Sequence, residues 1–514
     1  LIKTLVVNGP RLEPHRPPPG PAIIAKVCEQ QGHSVIAYDL NIKFFHYCKD
    51  RNINYHEFDG VWDQFAVMTQ LQKTTLENFL DHWCKKIVDE NYNFIMLSVF
   101  GMSGNTFAMA FLNKIRPLTS AKIIAGGMGI GVYGLTNSND CFGQKLKQQN
   151  LIDTFIVGEG EVSLGKALNN ETWPGVNNTE VFQIDDINSL PNPDYKFYNL
   201  GEYDYLIPNE PEVYITGSRG CVRKCTYCDV ERFWPKYRYR SGDSIANEII
   251  DNYERFGITR FYFTDSLVNG SLKAFGDMCE KLAQYRFDRP LSWSGQFIFR
   301  DRKTISKDFF PTMKAAGADI LFVGIETGSD RVRFDMGKKF TNEDIDFQLE
   351  ECSKNKIKII PLMLTGYITE TIEDHHETLK MFSRWQRYVA DGTISGVEIG
   401  SNLVILPGAP VEHMIDTHNI SFLLDQNQIP NISLWWSEKN PDLTIRERIR
   451  RKLEVHETAI KYAWPVWRQA TRLTELKEMI LKNNLHQAEP KKFFNLIPVS
   501  DHKKDLRLSK ITTI

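Results

Sequence analysis

The first 168 residues alternate short apolar runs, "KTLVVN", "SVIAYDL", "FIMLSV", "AKIIAGG" and "DTFIVGEGE", with amphipathic stretches such as "PAIIAKVCEQQG", "LENFLDHWCKKIVDE" and "FAMAFLNKIRP". A strand needs a continuous apolar run when both faces of its sheet are covered, so this pattern predicts parallel strands between layers of helix. The insertion 41–70 is aromatic-rich, keeps no period and stays unassigned. Residues 169–211 are dense in Asn, Pro, Asp and Tyr and read as a linker. From 212 to 408 a second series, "EVYITG", "RFYFTD", "LSWSGQ", "ILFVGIE", "IKIIPLML" and "GVEIGSNLVIL", alternates strictly with helical stretches. Strand and helix pairs in that order suit a parallel barrel, complete or partial, whose chemistry sits at the carboxyl ends of its strands. Residues 409–514 are charged and mainly helical in period.

The expected fold class is therefore α/β: a Rossmann-like, flavodoxin-like parallel sheet over 1–168, a partial (β/α)6 TIM-type barrel over 212–408, and a mainly helical C-terminal segment. At 514 residues with 42% hydrophobic content, the chain can bury a large core across several domains. A formal charge of -2 offers no global basic excess, so neither nucleic acid nor an anionic membrane is an expected partner. Six of the nine cysteines are scattered singly, the usage of reduced thiols, and the opening apolar run is too short for a signal peptide or a membrane span. A cytoplasmic location is expected.

The remaining three cysteines, Cys221, Cys225 and Cys228, fall in "GSRGCVRKCTYCDV", just after the first strand of the second series. Thiolates at this spacing can turn toward one metal site if the loop folds around it. A structural zinc wants four ligands, and the neighbouring sequence offers no fourth, so an open and reactive coordination position is implied. A zinc knuckle on a nucleic-acid-binding protein is the alternative from another class.

The loop resembles that of the radical S-adenosylmethionine (SAM) enzymes. The resemblance implies a 4Fe-4S cluster on the three cysteines, SAM on the remaining iron, and an electron donor such as flavodoxin or ferredoxin. Tyr227 matches the aromatic position near the SAM adenine. "ILFVGIETGSDRVRFDMGKK" resembles the family's fourth strand and turn, which makes Glu326, Ser329 and Lys338 SAM-site candidates. "FTDSLVNG" stands where a Gly-Gly-Glu turn is usual, so Asp265 or Ser266 takes the place of the group holding the SAM amino end. Gln296 and Arg300, ending the third strand, are candidates for ribose or carboxylate contacts.

The first domain resembles the cobalamin-binding type domain that precedes the barrel in one subgroup of the family. Ser98, Gly126, Gly127, Gly158 and Glu159 are the implied cobalamin contacts, and glycines after parallel strands also make sense as places where backbone approaches a bulky ligand. "EPHRPP" keeps Glu13 and His15 at the offset of a cobalt-ligating motif, but Pro18 replaces its glycine, and His15 is read as a loop residue. Adjacent His375 and His376 point apart on a helix and are not a metal pair. "FWPKYRYRSG" and "RERIRRK" are read as solvated rim or surface. The expected function is radical generation from SAM with methyl transfer through cobalamin onto an unidentified small-molecule or peptide substrate. Rearrangement, cyclisation or sulfur insertion is the alternative within that chemistry. A tRNA methylthiotransferase is disfavoured, because Cys28, Cys48, Cys84 and Cys141 lack the spacing of a second cluster.

Overall fold

The computed structural model describes residues 1–10, 13–62, 67–131, 141–204, 206–424 and 430–466, with the backbone of 497–498. The chain divides into two compact units, Leu1–Tyr214 with Phe256–Arg260, and Ile215–Arg255 with the described residues from Phe261 onward. Among the described residues, no helix is long and apolar enough to cross a membrane.

In the first unit, strands β1 (Lys3–Asn8), β2 (Ser34–Asp39), β3 (Phe94–Ser98), β4 (Lys122–Gly126) and β5 (Thr154–Phe155) form one parallel sheet in the order β2-β1-β3-β4-β5. Alternate side chains divide between two cores, which is why the runs are apolar throughout. Leu5, Val7, Ile95, Leu97, Ile123 and Ala125 pack with Phe44, Phe79 and Phe111, while Val6, Met96, Ile124 and Ile156 pack with Ala25 and Leu164. The strand order reverses at β1 and β3, and a crevice at their carboxyl ends is where such sheets take ligands.

The unassigned insertion turns out to be core. Its helix Leu40–Lys49 and the turns after it bring Phe44, Phe58 and Trp62 into one aromatic cluster, with Phe58 stacked on Trp62 at 5.6 Å between ring centres. No strict period is needed there, because large rings fill the space from short, irregular turns. The linker is equally committed to this unit: Tyr203 donates to Asp39 Oδ2 at 2.9 Å, and Lys43 pairs with Glu202 at 2.5 Å.

The strands that follow are β6 (Glu212–Ile215), β7 (Ser218–Arg219), β8 (Arg238–Tyr239), β9 (Arg260–Phe263), β10 (Ser292–Phe297), β11 (Ala318–Glu326), β12 (Lys358–Thr365) and β13 (Glu398–Asn402). Six of these make one sheet, in the order β13-β12-β11-β10-β9-β6, with β10 to β13 parallel. A six-stranded sheet in sequential order is the partial barrel that the pattern predicted. The C-terminal segment carries the 17-residue helix Ile445–Lys461, capped by Thr444. It also contains an antiparallel pair that helical periodicity did not announce, β14 (Ile420–Leu424) with β15 (Pro430–Ser437), and most of what lies beyond 466 is outside the described residues.

Candidate functional site

The cysteine loop starts at Gly220, whose φ of +87° suits glycine and whose added Cβ would stand 2.8 Å from the Lys236 carbonyl oxygen. Three hydrogen bonds anchor its far side: Thr226 N donates to Met336 O at 3.0 Å, Val411 N donates to Thr226 O at 2.6 Å, and the Thr226 and Tyr367 hydroxyls meet at 2.7 Å. Gly337, at φ +83°, lets the turn after β11 approach Lys224, since a Cβ there would meet the Lys224 oxygen at 2.9 Å. The loop is thus held by segments that follow β11, β12 and β13 in the chain.

All nine cysteines are free; six are fully buried, and only Cys221, Cys225 and Cys228 remain partly open. Burial raises each of the three thiols, Cys228 to about 11, while the Lys338 ammonium works in the opposite direction on Cys221 and Cys225. A positive charge beside partly desolvated thiols favours the thiolates that metal binding needs. Among the described residues, no group of three or more His, Cys, Asp or Glu side chains gathers at a single ion's position. A four-iron cluster takes each cysteine on a different iron, so its ligands stand further apart than those of one zinc ion. Three partly open cysteines on one anchored loop beside a lysine fit that donor set.

Glu326, Lys338 and Tyr227 come together beside this loop. Lys338 Nζ lies 2.8 Å from Glu326 Oε1, which also accepts from the Tyr227 hydroxyl at 2.8 Å. Lys338 further donates to Gly324 O at 2.7 Å. Gly324 is required here, because an added Cβ would fall 2.3 Å from Lys338 Nζ and 2.4 Å from Glu326 Oε1. Glu326 itself adopts φ +67° at a register shift ending β11, with Thr327 N bonded across it to Ile325 O at 2.9 Å, a tight turn that a side chain rarely accepts. Local strain of this kind persists where surrounding contacts over-determine it, and it concentrates at functional sites.

The other candidates are placed differently. Asp265 is buried and fully engaged, accepting from Gly217 N at 2.8 Å and from Ser218 Oγ at 2.5 Å, and burial pushes its carboxyl up to about 6. Ser266, after it, is half-buried. Gln296 is exposed, and its backbone oxygen accepts from Val268 N at 2.8 Å. Arg300 donates to Asn269 O at 2.5 Å and to Gly270 O at 3.1 Å. Ser329 caps the helix Asp330–Asp335 and donates to Asp374 Oδ1 at 2.6 Å, an architectural task. Tyr237, read as rim, is half-buried and is pushed up to about 12 by burial and by the charge of Asp265, with Cys221 also acting on it. The aromatic, basic run around Tyr237 was the available signal.

In the first unit, Asn8, Ser98 and Gly126 end adjacent strands in register, at the carboxyl edge. A Cβ on Gly126 would touch nothing nearer than Ile156 at 3.9 Å, so the edge is open at this position, whereas Gly127 (φ +98°) and Gly158 (φ +87°) are fixed by backbone oxygens 2.5 Å from their added Cβ. Glu159 is buried and accepts from Ile184 N, so its carboxylate secures the linker. His15 is lowered to about 4 by burial and by Arg16 and Arg260, leaving a neutral imidazole in the loop.

Comparison with known proteins gives these observations a family. Residues 215–382 match the model of the radical SAM superfamily. An anaerobic magnesium-protoporphyrin IX monomethyl ester cyclase of Rubrivivax gelatinosus is 24% identical over 51% of this chain and 50% of its own length. The chain spans about half the length of the curated relatives it matches. Among solved structures, the radical SAM methyltransferase TsrM of Kitasatospora setae superposes with a TM-score of 0.58 at 14% identity, covering 94% of this chain and 99% of that one. The cobalamin-dependent SAM radical enzyme OxsB superposes at 0.61 with 16% identity, covering 96% and 73%. The fold is shared with both, and residues 215–382 carry a domain that matches the radical SAM superfamily.

Proposed function

We propose that the chain is a radical SAM enzyme of the cobalamin-binding type, with Cys221, Cys225 and Cys228 holding a 4Fe-4S cluster and a small molecule receiving a methyl group. The observation that carries the reading is the convergence of the partly open cysteine loop with Lys338, Glu326 and Tyr227 at the carboxyl end of β11. Cys221, Cys225 and Cys228 would hold the cluster, which when bound would supply the electron for reductive cleavage of SAM to methionine and a 5'-deoxyadenosyl radical. The chain's own groups set the conditions. Lys338 offsets the charge of the thiolates, Glu326 is held as a hydrogen-bond acceptor facing Tyr227, and hydrogen bonds through Thr226 anchor the loop that carries the three sulfurs.

Ser98 and Gly126, with the open edge beside Gly126, are the residues of the first unit that would face cobalamin, which when bound supplies a methyl carrier. His15 is neutral above about pH 4, yet a loop bounded by prolines suits it to packing. Methyl transfer is favoured over cyclisation because TsrM, which the chain matches along nearly its whole length, is a methyltransferase and has been seen with cobalamin and a 4Fe-4S cluster bound. A flavodoxin or ferredoxin is the proposed electron donor, and the cytoplasm the proposed location.

Anaerobic reconstitution with iron and sulfide tests this. The expected product is brown protein with about four irons per chain, and Cys225→Ala loses the colour. Hydroxocobalamin added afterwards is expected to stay with the protein through gel filtration. Colourless, zinc-loaded protein would overturn the cluster, and brown protein that leaves the corrinoid behind would overturn the cobalamin branch.

A further inference from the structure

The run "RERIRRK", read as solvated surface, hides two of its arginines: Arg448 and Arg451, on the helix Ile445–Lys461, are 1% and 2% exposed. Both meet the loop that follows β12. Arg451 Nη1 donates to Glu370 Oε1 at 2.9 Å, to Glu370 O at 3.2 Å and to Thr371 O at 3.0 Å. Glu370 folds back to accept from Gly366 N at 3.2 Å. Gly366 adopts φ +69°, and an added Cβ there would stand 3.0 Å from Arg448 Nε. Asn440, from the same C-terminal segment, donates through Nδ2 to Ile368 O at 3.0 Å and to Glu370 O at 3.1 Å. Three side chains from late in the sequence thus clamp the backbone of 366–371.

Tyr367 lies inside that clamped loop, fully buried in one core with Met336, Val411 and Trp435. Its hydroxyl lies 3.1 Å from Asp335 O and 2.7 Å from Thr226 Oγ1. Met414 Sδ, at 3.7 Å, is only a weak acceptor. A carbonyl can only accept, so the one Tyr367 proton serves Asp335 O, and the Thr226 hydroxyl donates to the Tyr367 oxygen. Every proton is then used, and slack in the loop would leave a buried donor or acceptor unmet. Thr226 stands between Cys225 and Cys228, so its place sets where both thiols begin.

We propose that Tyr367 is a positioning residue for the cysteine loop, and that the C-terminal segment, through Asn440, Arg448 and Arg451, sets where Tyr367 stands. The loop is thereby arranged before any cluster is bound, which is how a supporting shell makes a site precise. The consequence for a bound cluster rests on the proposed function; the arrangement of the thiols does not.

Iodoacetamide labelling of the full chain before reconstitution, resolved by peptide mass spectrometry, reads each thiol separately. In Tyr367→Phe, which keeps the ring and loses the hydroxyl, Cys225 and Cys228 should label about fivefold faster, the weight of one hydrogen bond in a local opening equilibrium. Cys279 and Cys352, buried in the same unit, should stay unlabelled. Thr226→Val should agree with Tyr367→Phe within about twofold, and the double variant should add less than about twofold to either, because the two hydroxyls share one bond. Asn440→Ala, which leaves the hydroxyl pair in place, should speed the same two thiols by about twofold. After reconstitution and reduction, the EPR signal of the cluster should differ from the parent in Tyr367→Phe and change no further in the double variant. Unchanged labelling in both single variants, acceleration that spreads to Cys279 and Cys352, or effects that multiply in the double variant would overturn the positioning role. An EPR signal identical in parent and variants would overturn it as well, and unchanged labelling in Asn440→Ala would overturn the part given to the C-terminal segment. A parent that assembles no cluster, with Tyr367-dependent labelling intact, would count against the proposed function and leave the positioning role standing.

Discussion

Glu326→Gln isolates the electrostatics of the site. The change keeps the shape of the side chain and removes its charge, leaving Lys338, only 8% exposed, without its anion. Breaking a buried pair on one side costs about 3–5 kcal/mol. Lys338 keeps its bond to Gly324 O at 2.7 Å, and Glu326 retains 10% exposure, so the low end applies, about 3 kcal/mol. In a unit of this size that corresponds to a fall in melting temperature of about 6–12 °C. The assay is urea unfolding of cluster-free protein, followed by the fluorescence of buried Trp293 and Trp435. Removing Lys338 as well, in Glu326→Gln with Lys338→Met, should recover at least about half of the loss, because the orphaned ammonium is gone. A Gln variant within about 0.5 kcal/mol of the parent, or a double variant no better than the single, would refute the coupling.

Three further outcomes follow from other parts of the molecule. Burial raises Asp265 from 3.8 to about 6, so the folded protein binds this proton more tightly than the unfolded chain; the contribution is present at low pH and lost as pH rises through 6. Asp265→Asn should therefore flatten the fall in stability between pH 4 and 6.5 by about 3 kcal/mol, read from urea midpoints at each pH, and an unchanged slope would contradict this. Gly127→Ala forces a side chain to φ +98° with its Cβ 2.5 Å from Val99 O, and should open the first unit to limited proteolysis at temperatures where the parent resists. Arg448 is fully buried against Trp435 and donates to Leu403 O at 2.6 Å and Trp435 O at 3.0 Å. Arg448→Met removes both donors, Leu403 O keeping the Trp435 Nε1–H at 2.8 Å, and should cost about 2 kcal/mol by the same urea assay, an effect under about 0.5 kcal/mol being inconsistent with the packing.

Much of this was legible in the sequence for physical reasons that differ from place to place. Strands covered on both faces must be apolar throughout, so β1, β3, β4, β11 and β12 announced themselves, and three cysteines within eight residues marked the loop. The aromatic core around Phe44, Phe58 and Trp62 did not, because rings can fill a core from turns that have no period. Glu326 and Lys338 were found by resemblance, but their dependence on Gly324 was not, since only the register shift ending β11 brings the three together. The structural tasks of Ser329 and Glu159 were not legible for a common reason: polar residues after parallel strands serve as ligands or as architecture, and here one caps a helix and the other holds the linker. Tyr237 stood in a basic, aromatic run, and its burial is not legible from that run.

The central claim is that the loop of Cys221, Cys225 and Cys228 turns SAM into a radical source, and reductive cleavage tests it most directly. Anaerobically reconstituted protein, reduced with dithionite in the presence of SAM and analysed by mass spectrometry, should yield methionine and 5'-deoxyadenosine in equal amounts, with neither formed by Cys221→Ala, Cys225→Ala or Cys228→Ala. Reconstituted, reduced protein that leaves SAM intact, or cleavage that survives loss of the cysteines, would contradict the account.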